Sequence, residues 1–182
     1  MKTIGVLSDT HIYGRGRFRL PEYLLRAFQN VDLILHAGDV NIPDVLRELE
    51  QLAPVHAVFG NNDVDEICAT LPATRRIEVE DCVIGITHGD VAAHGERAQP
   101  LDFSGNRQTA ANALSHFEFD TDVNCVVFGH SHRSLCAWHQ TNSNRLLMFN
   151  PGSPTDKRFG PHHSFGFLRV DGESIKGELV TW

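Results

Sequence analysis

The chain has 182 residues, of which 41% are hydrophobic and 21% charged, and its net charge is −7 with histidine neutral. These values exclude a wholly disordered chain and suit one domain, residues 1–182, with a sizeable core. The acidic balance argues against a protein that grips long nucleic acid by neutralising its phosphates, although a local cationic site stays open.

In chain order, "TIGVLS" at 3–8 reads as a buried strand. Residues 20–30, "LPEYLLRAFQN", read as a helix with Pro21 in its first turn and Leu24, Leu25 and Phe28 on one face. "VDLILHAGD" at 31–39 is the next strand, and Asn41 is placed to cap a helix over "IPDVLRELEQL". "PVHAVFGNND" gives a third strand ending in a turn. This β-α-β-α-β order predicts parallel strands joined by right-handed crossovers. Residues 74–90 then read as a hairpin turning at Glu80–Asp81. Residues 90–104 read as a loop, 105–119 as a helix, and "VNCVVFGHSH" as a buried strand. Two more hairpins follow, one around Asn142–Asn144 and one turning at Asp171–Gly172, and they predict a second, mixed sheet against the first.

The four cysteines, Cys68, Cys82, Cys125 and Cys136, form no C-x-x-C pair and read as separate thiols, with Cys125 in the core. No apolar run reaches about 18 residues and no leader pattern is seen. A reducing, cytoplasmic setting without a membrane partner is the expectation.

The informative pattern lies at the strand ends. "VLSDTH" ends in Asp9 and His11, "LILHAGD" in Asp39, "HAVFGNND" in Asn61, "VIGITHGD" in His88, and "VVFGHSH" in His130 and His132. In open α/β sheets, sites form outside the carboxyl ends of the strands, so these groups can converge. The D-x-H and H-x-H spacings would put both side chains of a pair on one side of an extended segment. Two carboxylates, an amide oxygen and four imidazoles suit Mn, Fe, Co, Ni or Zn better than Mg alone, and the lack of thiolate disfavours a structural zinc site. Seven donors exceed the needs of one open ion but fit two ions that share a carboxylate.

The ordered set D-x-H, G-D, G-N, T-H-G and G-H-x-H resembles the calcineurin-like metallophosphoesterases, from Ile4 to Val180. "HAGDV" and "NPGS" look most similar to the YfcE-type phosphodiesterase branch. The resemblance implies an α/β fold, a four-layer α/β/β/α sandwich of two mixed sheets with a dinuclear site at its top edge. Asp9, His11 and His132 would hold the first ion, Asn61, His88 and His130 the second, and Asp39 would bridge them. Mn2+ leads among the ions implied, with Ni2+, Co2+, Fe2+ and Zn2+ as alternatives. The reaction implied is in-line attack of a metal-bound hydroxide on a small phosphodiester, with Asp39, Asn61 and His88 as the catalytic set. Self-association into a homo-oligomer stays open.

Two departures stand out. Many relatives read G-N-H-D or G-N-H-E where this chain has "GNND", so Asn62 stands where a histidine could protonate the leaving group. His94 is a substitute candidate for that acid. Asp90 replaces the histidine of an H-G-H pattern and is either a loop residue or an acceptor for a ligand imidazole.

Blander assignments compete. Asp9, Asp39 and Asn61 singly could be turn residues, and His130 and His132 a hydrogen-bonded turn, but the ordered set favours metal ligation. His36 and His56 read as ordinary partly buried histidines, with His36 able to support the site. His116, His139, His162 and His163 read as surface or loop groups. Arg15, Arg17 and Arg19, and likewise Arg97, Arg107 and Arg158, read as solvated loop residues with a substrate clamp as the alternative. "NPGS" reads as a turn lining the cleft. At the level of function, a phosphomonoesterase and a non-catalytic protein-binding scaffold of the same fold, like a retromer subunit, are the alternatives.

Overall fold

The computed structural model describes residues 1–13, 19–90, 119, 122–140, 145–158 and 160–182. The first βαβαβ stretch consists of β1 (Lys2–Leu7), α1 (Glu22–Ala27), β2 (Leu33–Ala37), α2 (Pro43–Glu50) and β3 (Val55–Val58). The three strands pair in parallel, β1 with β2 and β2 with β3. Alternation decides what each face does. Ile4, Val6, Leu35, Ala37 and Val58 point towards the second sheet. Leu7 and Ile34 point the other way, onto Leu24, Phe28, Val45 and Leu49 of the helical layer. α2 forms readily because Pro43 occupies its first turn, Asp44 meets the positive end of the helix, and Val45 and Leu49 lie four apart on the buried face.

A short helix, α3 (Asp65–Thr70), follows, then β4 (Thr74–Val79), β5 (Cys82–Thr87), β6 (Cys125–Val127), β7 (Leu135–Gln140), β8 (Arg145–Asn150), β9 (Ser164–Asp171) and β10 (Ser174–Thr181). They complete two five-stranded sheets, β10-β9-β1-β2-β3 and β4-β5-β6-β8-β7. Both are mixed. Three parallel strands, β1-β2-β3, end the first sheet with antiparallel β9 and β10 on one side, and β5-β6-β8 form the parallel centre of the second between antiparallel β4 and β7. Between the sheets lies a dry core that includes Ile84, Ile86, Cys125, Val127, Leu147, Phe149, Leu168 and Val170. On the far face of the second sheet Val126, Phe128, Leu146 and Met148 are also buried. Phe119 packs there against Gly85, where any Cβ would press into the ring at 2.8 Å. The helix expected over 105–119 and the loop expected over 90–104 otherwise lie outside the described residues, as does the Asn142–Asn144 turn. Among the described residues no helix is long and apolar enough to cross a membrane.

Several expectations need correction. The last hairpin does not join the second sheet, because β9 pairs with β1 and extends the first. α1 is shorter than residues 20–30, with Pro21 as its N-cap and Phe28 closing it. Asn41 does not cap α2: Ile42 holds the N-cap position, and the Asn41 amide donates instead to the Asn62 carbonyl at 2.7 Å. α3 was not foreseen, its turn being short and without a capping side chain. His139 is buried in β7 rather than on the surface. All four cysteines are free.

Candidate metal centre

The carboxyl ends of the parallel strands from both sheets meet at one edge. Asp9 and His11 follow β1, Asp39 follows β2, Asn61 follows β3, His88 follows β5, and His130 and His132 follow β6. Asp9 (φ 53°), His11 (44°), Asp39 (56°), His130 (65°) and His132 (57°) all adopt the left-handed backbone region. That conformation is costly for residues with a Cβ, and it is tolerated where surrounding structure over-determines it, commonly at functional sites. It also corrects the spacing argument. The D-x-H and H-x-H pairs converge through tight turns, not through strand alternation.

The donor atoms crowd together. His11 Nε2 lies 3.1 Å from His132 Nε2 and 3.4 Å from Asp39 Oδ2. His132 Nε2 lies 3.3 Å from Asp9 Oδ1. His88 Nε2 is 3.3 Å from Asp39 Oδ2 and 3.2 Å from Asn61 Oδ1, and His130 Nδ1 is 3.0 Å from that same amide oxygen. Two groups stand out as able to hold a cation, Asp9 with His11 and His132, and Asp9 with Asp39 and His88. All seven residues expected at the site are therefore brought together. His94, the candidate acid, and Arg15, Arg17, Arg97 and Arg107 lie outside the described residues.

A ring of supporting groups fixes this arrangement, and much of it was invisible in the residue pattern. His88 Nδ1 donates to the Ala37 carbonyl at 2.8 Å, and His132 Nδ1 donates to the Asp156 carbonyl. His11 Nδ1 meets the Tyr13 hydroxyl at 3.2 Å, while an Arg158 N–H donates to His11 Nε2, also at 3.2 Å. His11, His88 and His132 are thereby held with Nε2 facing the centre. The Asp63 carboxylate accepts the backbone N–H groups of Asp39, Asn41 and Gly60, tying the turns after β2 and β3 together. "NPGS" does line the cleft. Ser153 Oγ donates to the Asp9 carbonyl at 2.7 Å and accepts from the Asp156 N–H at 2.8 Å. His36 supports the site from behind, within 3.1 Å of Thr10 Oγ1. Of this ring, His36, the "NPGS" turn and Asp63 of "GNND" were within reach of sequence reasoning; the carbonyls of Ala37 and Asp156 leave no sequence signature.

The residues fit a cation. Four imidazole nitrogens, two carboxylates and an amide oxygen facing one another repel unless a positive charge, a cation or protons on the imidazoles, lies among them. Asp9 Oδ1 is buried with no hydrogen-bond donor among the described residues. Backbone comes unusually close as well: a Cβ on Gly60 would stand 2.6 Å from the Asp39 nitrogen and 2.7 Å from the His88 ring, so the turn after β3 presses directly on two donors. The protonation pattern of the metal-free protein follows the same logic. Burial would lower His88, but the Asp39 hydrogen bond and the Asp9 and Asp39 charges outweigh it, and the group is raised to about 9. Burial would lower His132 as well, but the Asp9 carboxylate beside it outweighs this and the group is raised. Burial lowers His11 and His130. Burial would raise both carboxyls, yet His132 and His88 hold Asp9 below its ordinary value, and His88 and Asn62 do the same for Asp39. Asp90 acts on His88 through its charge.

Comparison with known proteins agrees with this picture. A family model, the calcineurin-like phosphoesterase superfamily domain, matches residues 1–173. A protein from Methanothermobacter thermautotrophicus named "Probable metallophosphoesterase" is 38% identical over 97% of this chain and 91% of its own. Among solved structures, Vps29 from Entamoeba histolytica complexed with zinc superposes with a TM-score of 0.67 at 22% identity, covering 98% of each chain. A "predicted phosphoesterase" from Streptococcus pneumoniae TIGR4 gives a TM-score of 0.63 at 23% identity over 99% of this chain and 89% of its own. Both likenesses extend the shared fold over essentially the full length.

Proposed function

This chain belongs to the calcineurin-like phosphoesterase superfamily, and from that premise we propose that it is a dinuclear metal-dependent phosphodiesterase acting on a small phosphodiester. The observation that carries the reading is the convergence of seven N and O donors at one edge of the two sheets, with a buried Asp9 oxygen that makes no hydrogen bond among the described residues. In this reading Asp9, His11 and His132 would hold one ion, Asn61, His88 and His130 the other, and Asp39 would be shared between them. The donor set suits a divalent ion that accepts nitrogen and oxygen, and the family resemblance favours Mn2+, with Ni2+, Co2+, Fe2+ and Zn2+ as alternatives. When bound, such ions clamp the phosphoryl oxygens and acidify a water enough for in-line attack on phosphorus.

The chain's own residues do the rest. Asp9 and Asp39 offset only part of the charge of two divalent ions, so an acidic protein keeps an anion-attracting spot here. The Ala37 and Asp156 carbonyls keep His88 and His132 in the ligating tautomer. Asn62 carries no proton acidic enough to assist a departing alkoxide, which favours esters with good leaving groups. The free cysteines accord with a reducing, cytoplasmic setting.

A scaffold role of the same fold is the competing reading. A protein freed from catalysis has no need to maintain seven donors, five of them in a strained backbone region. The deciding experiment restores metal-free protein with each divalent ion and compares bis(p-nitrophenyl) phosphate with p-nitrophenyl phosphate. Faster diester hydrolysis that is lost in Asp39→Ala supports the proposal. Absence of hydrolysis with every ion, or a fully active Asp39→Ala, refutes it.

A further inference from the structure

We infer that Arg158 is the substrate-binding cation of this centre, its guanidinium taking a non-bridging oxygen of the substrate phosphate beside the Asp9, His11 and His132 cluster. The inference rests on the phosphoesterase reading above. Arg158 lies on the loop after β8, in the left-handed region at φ 40°. Asp156 grips it twice, Oδ1 accepting the backbone N–H at 3.1 Å and Oδ2 accepting Nε at 3.2 Å. With that edge of the guanidinium anchored, Nη2 reaches inward to 3.2 Å from His11 Nε2. Among the described residues it is the cationic side chain hydrogen-bonded to a member of the donor set.

Three features fit a substrate anchor better than a loop brace. First, Asp156 orients two groups at once, His132 through its carbonyl and Arg158 through its carboxylate, so the guanidinium is registered to the donor set itself. Second, the side chain is 38% exposed, which leaves it open to an arriving anion. Third, its acceptor in this structure is His11 Nε2, an atom that belongs to a cation in the ligand reading. Once that nitrogen is so engaged, Nη2 loses its acceptor, and a phosphate oxygen is the natural replacement. A guanidinium suits the task because its rigid fork matches two phosphate oxygens and stays charged at any working pH.

The test uses manganese-loaded protein, with inorganic phosphate as the probe, measured by calorimetry and as an inhibitor of bis(p-nitrophenyl) phosphate hydrolysis. Arg158→Gln is expected to weaken phosphate binding and raise KM by about 10- to 100-fold, the range for a lost charge-assisted hydrogen bond. Manganese affinity, read by calorimetric titration, should stay within about twofold of wild type, and Arg158→Lys should recover part of the phosphate affinity as a point charge without the fork. Unchanged phosphate affinity in Arg158→Gln overturns the inference. So does a parallel loss of manganese affinity in both variants, which would make Arg158 a brace for His11. If wild type takes up manganese but hydrolyses neither ester, the phosphoesterase reading falls, and loss of phosphate binding in Arg158→Gln would still uphold the anion site.

Discussion

Asn62 holds Asp39 by both carboxylate oxygens, its backbone N–H donating to Oδ1 at 2.8 Å and its side-chain amide donating to Oδ2 at 2.7 Å. Oδ2 is also the oxygen that faces His11 and His88. The residue that departs from the resembled G-N-H-D pattern is thus an orienting group for the central carboxylate. Asn62→Ala should weaken manganese binding by about tenfold, the size of effect usual for partners of metal ligands, as measured by calorimetric titration. Asn62→His should raise the ratio of poor-leaving-group to good-leaving-group diester turnover while weakening the metal. An unchanged ratio would remove leaving-group protonation as the meaning of this position.

Manganese should stabilise the fold, because the donors are assembled only in the native state. At a free ion concentration about 100 times Kd the gain is about 2.7 kcal/mol, or roughly 5–10 °C in Tm for a chain of this size. Asp39→Ala should show little of that shift in differential scanning calorimetry. An equal shift in the variant would place the ion elsewhere.

His36 makes the metal-free protein sensitive to acid. Burial drives it down to about 3; the Asp9 and Asp39 charges pull the other way and those of His88 and His11 add to the lowering. It is wholly buried. Because the folded value lies below the unfolded one near 6.5, its contribution is intact above pH 6.5 and is lost as pH falls towards 3. The loss from this group between pH 7.5 and 5 is about 2 kcal/mol. Urea unfolding at the two pH values should show a smaller drop in His36→Gln than in wild type. An equal drop would assign the acid sensitivity to other groups.

Gly60 tests how tightly the turn after β3 is fitted. An added Cβ would intrude on the Asp39 backbone and the His88 ring. Gly60→Ala should cost about 1–3 kcal/mol by overpacking and should weaken manganese binding more than it lowers Tm. Wild-type metal affinity in that variant would show that the turn can relax without moving the donors.

The donor set was legible because each member ends an apolar run, and hydrophobic periodicity is the strongest signal a chain carries. Asp9 with His11, Asp39, Asn61, His88, and His130 with His132 all sit in that position. What periodicity cannot convey is which sheet an added hairpin joins. β9 and β10 read as strands, yet their place beside β1 depends on packing across the molecule, where Gly166 and Gly177 make room for the Phe149 ring. Local capping rules also lost to tertiary demand at Asn41, whose amide is taken by Asn62. The left-handed turns at the donors and the backbone carbonyls behind His88 and His132 were beyond reach, since neither a dihedral angle nor a carbonyl has a letter in the sequence. Arg158 was one arginine among several until Asp156 and His11 gave it a location.

The donors come from both sheets, Asp9, His11, Asp39 and Asn61 from one and His88, His130 and His132 from the other. An ion cluster seated among them would act as a rivet across the seam. Stripping it with a chelator would unzip the molecule from that edge, so amide hydrogens at the ends of β2 and β5 would exchange sooner than those at the opposite rim, where Met1 is pinned by Glu80 and Asp171.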